Sequence, residues 1–101
     1  MGQFRLDDRA KLSIDIALAA AGGDGERLRR GEQAARLLGL TGAELDALHN
    51  GSSFDFRLSR AIGLAISPGA ESRGRARRAG LDEQDCRAIE DYAAGSSGDR
   101  S

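Results

Sequence analysis

Cysteine occurs once in this sequence, at Cys86, so no internal disulfide can brace the fold. A zinc-type site built from histidine and cysteine is excluded by count, because His49 is the single imidazole. Aromatic residues make up 4% of the chain and tryptophan is missing, which leaves Ala, Leu and Ile to fill the core. Side chains of that size suit packing between helices. Neither sign of charge dominates: 15 basic and 16 acidic residues give a formal net charge of −1, so no general attraction to nucleic acid or to an anionic membrane is expected. Long apolar runs are lacking too. The longest mostly apolar stretch, 14–21, is interrupted by Asp15 and is too short to cross a bilayer. The charged opening "MGQFRLDDRAK" does not read as a secretory segment, and Leu6 stands where a myristoylation signal needs Ser or Thr. The expected location is the reducing cytoplasm. At 101 residues the chain is expected to form one domain, small enough that a partner subunit would help stabilise it.

Glycine, by contrast, is abundant, and most of the 14 glycines fall where helices would end. From Asp7 or Asp8 to Ala21, Ala10, Ile14, Ala17, Leu18 and Ala21 recur at helical spacing, with Leu12 and Ile16 on a second edge. Leu12, Ile14, Ile16 and Leu18 also alternate as a strand would; the alanine-rich end and the absence of a partner strand favour the helix. Asp24 is placed to cap a second helix whose inward stripe is Leu28, Gly31, Ala34/Ala35 and Leu38, ending at Gly39. Thr41 and Glu44 fit a capping box that opens a short helix carrying Leu45 and Leu48. Ser52 or Ser53 would cap a fourth helix, with Asp55 in its first turn, Leu58, Ala61, Ile62, Ala65 and Ile66 on one face, and Pro68 ending it. "GAESRGRARRAG" reads as a weak helix broken by Gly74, and Leu81-Asp82 opens a last helix with Cys86, Ile89 and Ala93 on one stripe. "GLTGAELDAL" (39–48) and "GLDEQDCRAI" (80–89) echo one another, which reads as the same ordinary way of ending one helix and starting another. The whole predicts an all-α bundle of five or six short helices over 1–94, followed by a flexible tail over 95–101.

Taken in order, "LSIDIALAAAGGDGER", "AARLLGLTGAELDALHNG" and "FDFRLSRAIGLAIS" resemble successive helices of the carboxymuconolactone decarboxylase and alkyl hydroperoxidase D-like family, over roughly residues 6–94. The resemblance implies an all-helical fold and assembly as a homo-oligomer, a trimer or a multiple of one. Redox members of that family carry Cys-x-x-Cys at the start of the second helix, with a His four residues beyond the second Cys. Counting back from Gly39, those positions hold Asp24, Arg27 and Gly31. A peroxidatic reaction needs an activated thiolate and a resolving thiol, and these three side chains offer no sulfur. The upstream helix of redox members also presents a proton-relaying glutamate; here the region reads Lys11-Leu12-Ser13, with Asp15 one turn away. Thiol peroxidase activity is therefore expected to be absent.

Other chemistry is thinly supported. Cys86 and His49 would have to supply any thiol–imidazole pair, yet Cys86 shares an apolar stripe and His49 sits in a last helical turn, which suits structural roles. "GGDGER" is neither a P-loop nor a dinucleotide fingerprint, so no cofactor is expected. Arg73, Arg75, Arg77 and Arg78 form a basic cluster, read as a solvated or ion-paired face and not as a nucleic-acid site. Two functions survive: a non-redox, degenerate member of the family serving as a binding or assembly module, and a cofactor-independent decarboxylase-type enzyme acting on a small organic acid or lactone. For the second, Asp15, Arg27 and Arg30 are the catalytic candidates, able to hold a small-molecule carboxylate. A mid-helix glycine at Gly31 costs about 1 kcal/mol relative to alanine, which marks that face as a packing or subunit surface.

Overall fold

The computed structural model of the protein describes residues 4–98, and these form helices joined by short turns, with no strand among them. In chain order they are α1 (Asp8–Gly22), α2 (Gly25–Leu37), α3 (Gly42–His49), α4 (Phe56–Ile66), α5 (Ala70–Arg78) and α6 (Glu83–Gly98). The alternating residues 12–18 thus belong to a helix. Helix α6 continues to Gly98, past the point where a tail was expected; residues 99–101 of that stretch lie outside the described residues.

The turns follow from local chemistry. Gly39 and Gly80 adopt φ of 93° and 110°, a region that costs other residues a clash between Cβ and backbone. After each glycine a leucine N–H reaches back to the carbonyl five residues earlier, Leu40 to Ala35 at 3.0 Å and Leu81 to Ala76 at 3.1 Å. Both leucines are buried, at 8% and 1% exposure, so each turn also pins a core side chain. The next helix then starts at a reciprocal cap. Thr41 Oγ1 accepts from the Glu44 N–H at 3.1 Å while Glu44 Oε1 accepts from the Thr41 N–H at 2.8 Å. Asp82 and Asp85 do the same at 2.8 and 3.0 Å. The echo between 39–48 and 80–89 is therefore an echo of geometry.

Two expected details are corrected. Helix α4 is capped by Asp55, whose Oδ1 accepts from the Arg57 and Leu58 N–H groups at 3.0 and 3.2 Å. Ser53 acts one step earlier, its Oγ accepting from the Asp55 N–H, because the carboxylate lies next to the first helical turn and is the stronger acceptor. Helix α5 runs unbroken through Gly74, since its buried Ala76 and its ion pairs to α6 hold it against the weak propensity of a glycine.

All six helices contribute to one apolar core. Helix α1 lies at its centre, burying Ala10, Ile14, Ile16, Ala17 and Ala19 and packing on α2, α3, α4 and α6. Helix α4 buries Ala61, Ile62, Leu64 and Ala65, and α6 buries Cys86, Ile89 and Ala93 on the expected stripe. Helices α2 and α5 each bury a single residue fully, Ala35 and Ala76, and at the end of α2 Leu38, expected to face inward, is 48% exposed. The left-handed turn at Gly39 explains this, because it hands the core position to Leu40 and leaves Leu38 outside. No described helix is long and apolar enough to cross a membrane.

Candidate functional site

The three positions at which the resemblance places redox chemistry each hold a structural residue. Asp24 caps α2, its Oδ1 accepting from the Arg27 N–H at 3.1 Å. The Arg27 guanidinium stands 3.6 Å from Asp15 Oδ1 on α1, both side chains a little over a quarter exposed. Gly31 lies over Ile16: a Cβ added there would sit 2.8 Å from Ile16 Cγ1, closer than real Cβ contacts come. Gly31 is thus a close-packing position within the chain, between α1 and α2. Its neighbour Ile16 has no exposed surface and, being β-branched in a helix, little freedom to turn aside.

Of the catalytic candidates, the fold joins Asp15 and Arg27 but not Arg30, which is exposed. A third member was not foreseen. The Tyr92 hydroxyl, from α6, donates to Asp15 Oδ2 at 2.8 Å, and Lys11 Nζ lies 5.9 Å from the centre of the Tyr92 ring. Tyr92 is 77 residues from Asp15 in sequence, so only its position beside the Ile89/Ala93 stripe hinted that it would face another helix. The group ties α1, α2 and α6 together, and none of its members lines the cavity described below.

Cys86 and His49 do not form a pair. Cys86 is wholly buried, and the loss of solvent around its sulfur raises the thiol pKa, which disfavours a reactive thiolate. His49 Nε2 instead meets Glu32 Oε2 at 2.5 Å, joining α3 to α2. Arg73 and Arg77 of the basic cluster on α5 are likewise engaged. Arg73 donates to Glu90 at 2.8 and 3.2 Å and also to Glu83, while Arg77 donates to Glu83 at 2.9 Å.

Space for a ligand lies elsewhere. An open groove of about 750 Å³ runs between the segment leading into α1, the N-terminal turns of α1 and α4, and α3. Phe4, Leu40, Leu48, Phe54 and Leu58 supply its apolar walls, and Arg5, Arg9 and Arg57 its cations. The carboxylates on its surface, Asp7, Glu44 and Asp55, are all helix-capping groups. Glu44 is held below the ordinary carboxylate pKa, first by the Thr41 N–H and then by Arg9, whose Nη2 is 3.2 Å away.

Comparison with protein-family models, curated proteins and solved structures gave no match.

The groove's dimensions fall in the range that takes small molecules, about 300–1,000 Å³. Its side chains can hold charge and apolar surface together. They include no thiol and no imidazole to act as nucleophile or general base near neutral pH.

Proposed function

We propose that the protein is a non-redox, degenerate relative of the carboxymuconolactone decarboxylase and alkyl hydroperoxidase D-like proteins, acting in the cytoplasm as a binding and assembly module. The observation that carries this reading is the use made of three positions. Asp24 is a cap, Arg27 an ion-pair partner and Gly31 a contact point for Ile16, so the helix keeps its place in the bundle without the reagents. Binding then falls to the groove beside α3 and α4, which has room but no evident nucleophile. Assembly as a homo-oligomer would bury Leu37 and Leu38, which stand 89% and 48% exposed at the end of α2; a trimer or a multiple of one is what the resemblance implies.

The decarboxylase-type reading has one observation in its favour, the Tyr92 hydroxyl set against Asp15 beside Arg27. Assays of the purified chain separate the two. The binding-module reading expects no turnover of peroxide or of a lactone acid, with light scattering giving a mass that is a multiple of the single chain. Turnover abolished by Tyr92→Phe would establish the enzyme instead.

A further inference from the structure

We propose that the groove between the segment before α1, α3 and α4 is a binding site for a small amphipathic organic anion, one acidic head group on an apolar body. This deepens the binding-module reading and rests on it.

Volume comes first. At about 750 Å³ the open groove has room for a molecule the size of a substituted aromatic acid, whereas a second cavity, beside Gly63, holds about 30 Å³, enough for one water. The preference for an anion follows from where the charges are committed. Three guanidinium groups and three carboxylates line the groove, so the formal charges cancel. Each carboxylate, however, is bound to the N-terminus of its own helix: Asp7 to the Ala10 N–H at 2.9 Å, Glu44 to Thr41 at 2.8 Å, Asp55 to Arg57 at 3.0 Å. Each helix end, equivalent to about half a positive charge, offsets part of the carboxylate it holds, which weights the groove toward an anion. Glu44 also answers Arg9 at 3.2 Å. Arg5 is exposed and has no acidic partner among the described residues, which leaves a planar fork of donors available to a carboxylate.

An apolar body is indicated by the walls. Phe54 is 70% exposed and lines the groove together with the half-buried Phe4 and Leu58. A phenyl ring held in water is a poor use of a residue this composition otherwise lacks, and it offers a flat face to an aromatic or aliphatic ligand. Arg5 stands exposed ahead of the first helix, while Phe4 beside it packs against the core and holds that segment at the groove.

The test is a titration of the full chain, followed by backbone amide NMR shifts, with phenylacetate, its uncharged analogue phenylacetamide, and acetate. Phenylacetate is expected to give saturable shifts concentrated on residues around the groove, at millimolar concentration as befits ten non-hydrogen atoms. Phenylacetamide and acetate should bind about tenfold more weakly. Arg5→Ala should remove the preference for phenylacetate over phenylacetamide, and Phe54→Ala should weaken both; both side chains are exposed, so the fold is retained. Equal binding of the charged and uncharged compounds overturns the inference, as does the absence of saturable shifts. Shifts centred on Asp15, Arg27 and Tyr92 also overturn it while leaving a binding module standing. Turnover of peroxide or lactone in the separate assays would instead remove the reading beneath it.

Discussion

Gly31, Gly63 and Gly74 all lie within helices, yet their surroundings make them opposite cases. At Gly31 a methyl group would strike Ile16, at Gly63 it would meet nothing within 4 Å, and at Gly74 only the guanidinium of Arg78 at 3.7 Å. Helix propensity favours alanine at each by about 1 kcal/mol. Overpacking a buried contact costs about 1–3 kcal/mol, which outweighs that gain at Gly31 alone. Gly63→Ala and Gly74→Ala are therefore expected to stabilise the protein by about 0.5–1 kcal/mol each in urea unfolding, and Gly31→Ala to destabilise it. Combining Gly31→Ala with Ile16→Ala should cost less than the two single changes added, because the deletion removes the atom that the new methyl strikes. Cys86 gives a second test at this scale. Its burial and raised pKa predict slow modification by a thiol reagent in the native protein and fast modification once denaturant exposes it.

Between helices, the repeated glycine turn and the ion pairs carry the organisation. Gly80→Ala places a side chain at φ 110° and sets its Cβ 3.2 Å from Arg57 Nε, so it is expected to cost about 1–2 kcal/mol, read as a lower urea midpoint. The ion pairs predict a pH dependence of known sign. Glu90 lies below the ordinary value of 4.5 because Arg73 donates to it, and Glu44 lies below the same value because of the Thr41 N–H. A carboxyl whose folded pKa is depressed contributes stability that is complete above its unfolded value and is lost as pH falls through the folded one. The melting temperature should therefore decline below about pH 4.5, and Glu90→Gln should make that decline shallower. Much of this layer is legible in the sequence, since capping boxes and glycine stops are local signals: the Thr41–Glu44 box and the left-handed Gly39 both stand where the residue pattern puts them. The cap of α4 is ambiguous from sequence because three capping residues, Ser52, Ser53 and Asp55, crowd one turn, and the structure gives the role to Asp55. The continuity of α5 depends on Glu83 and Glu90 of another helix, which no local pattern contains.

Across the whole molecule, the division is between what short-range chemistry dictates and what only the packed chain brings together. The all-α class, the six helices and the buried stripe of α6 follow from periodicity. Gly31 announced a close contact, although its partner turned out to be a side chain of the same chain. The Tyr92–Asp15 bond and the groove joining Phe4, Glu44 and Phe54 were not legible, since each depends on helices far apart in sequence lying side by side. At this scale Asp24, Arg27 and Gly31 work together to hold α2 in place, as cap, ion-pair partner and close contact. The most direct test of that role is urea unfolding of the triple variant Asp24→Cys/Arg27→Cys/Gly31→His, which installs the Cys-x-x-Cys and His of the family that the sequence resembles. Loss of the α2 cap together with the collision at Ile16 predicts a drop in stability of about 3 kcal/mol or more. A variant that unfolds at the parent's urea midpoint would contradict the claim.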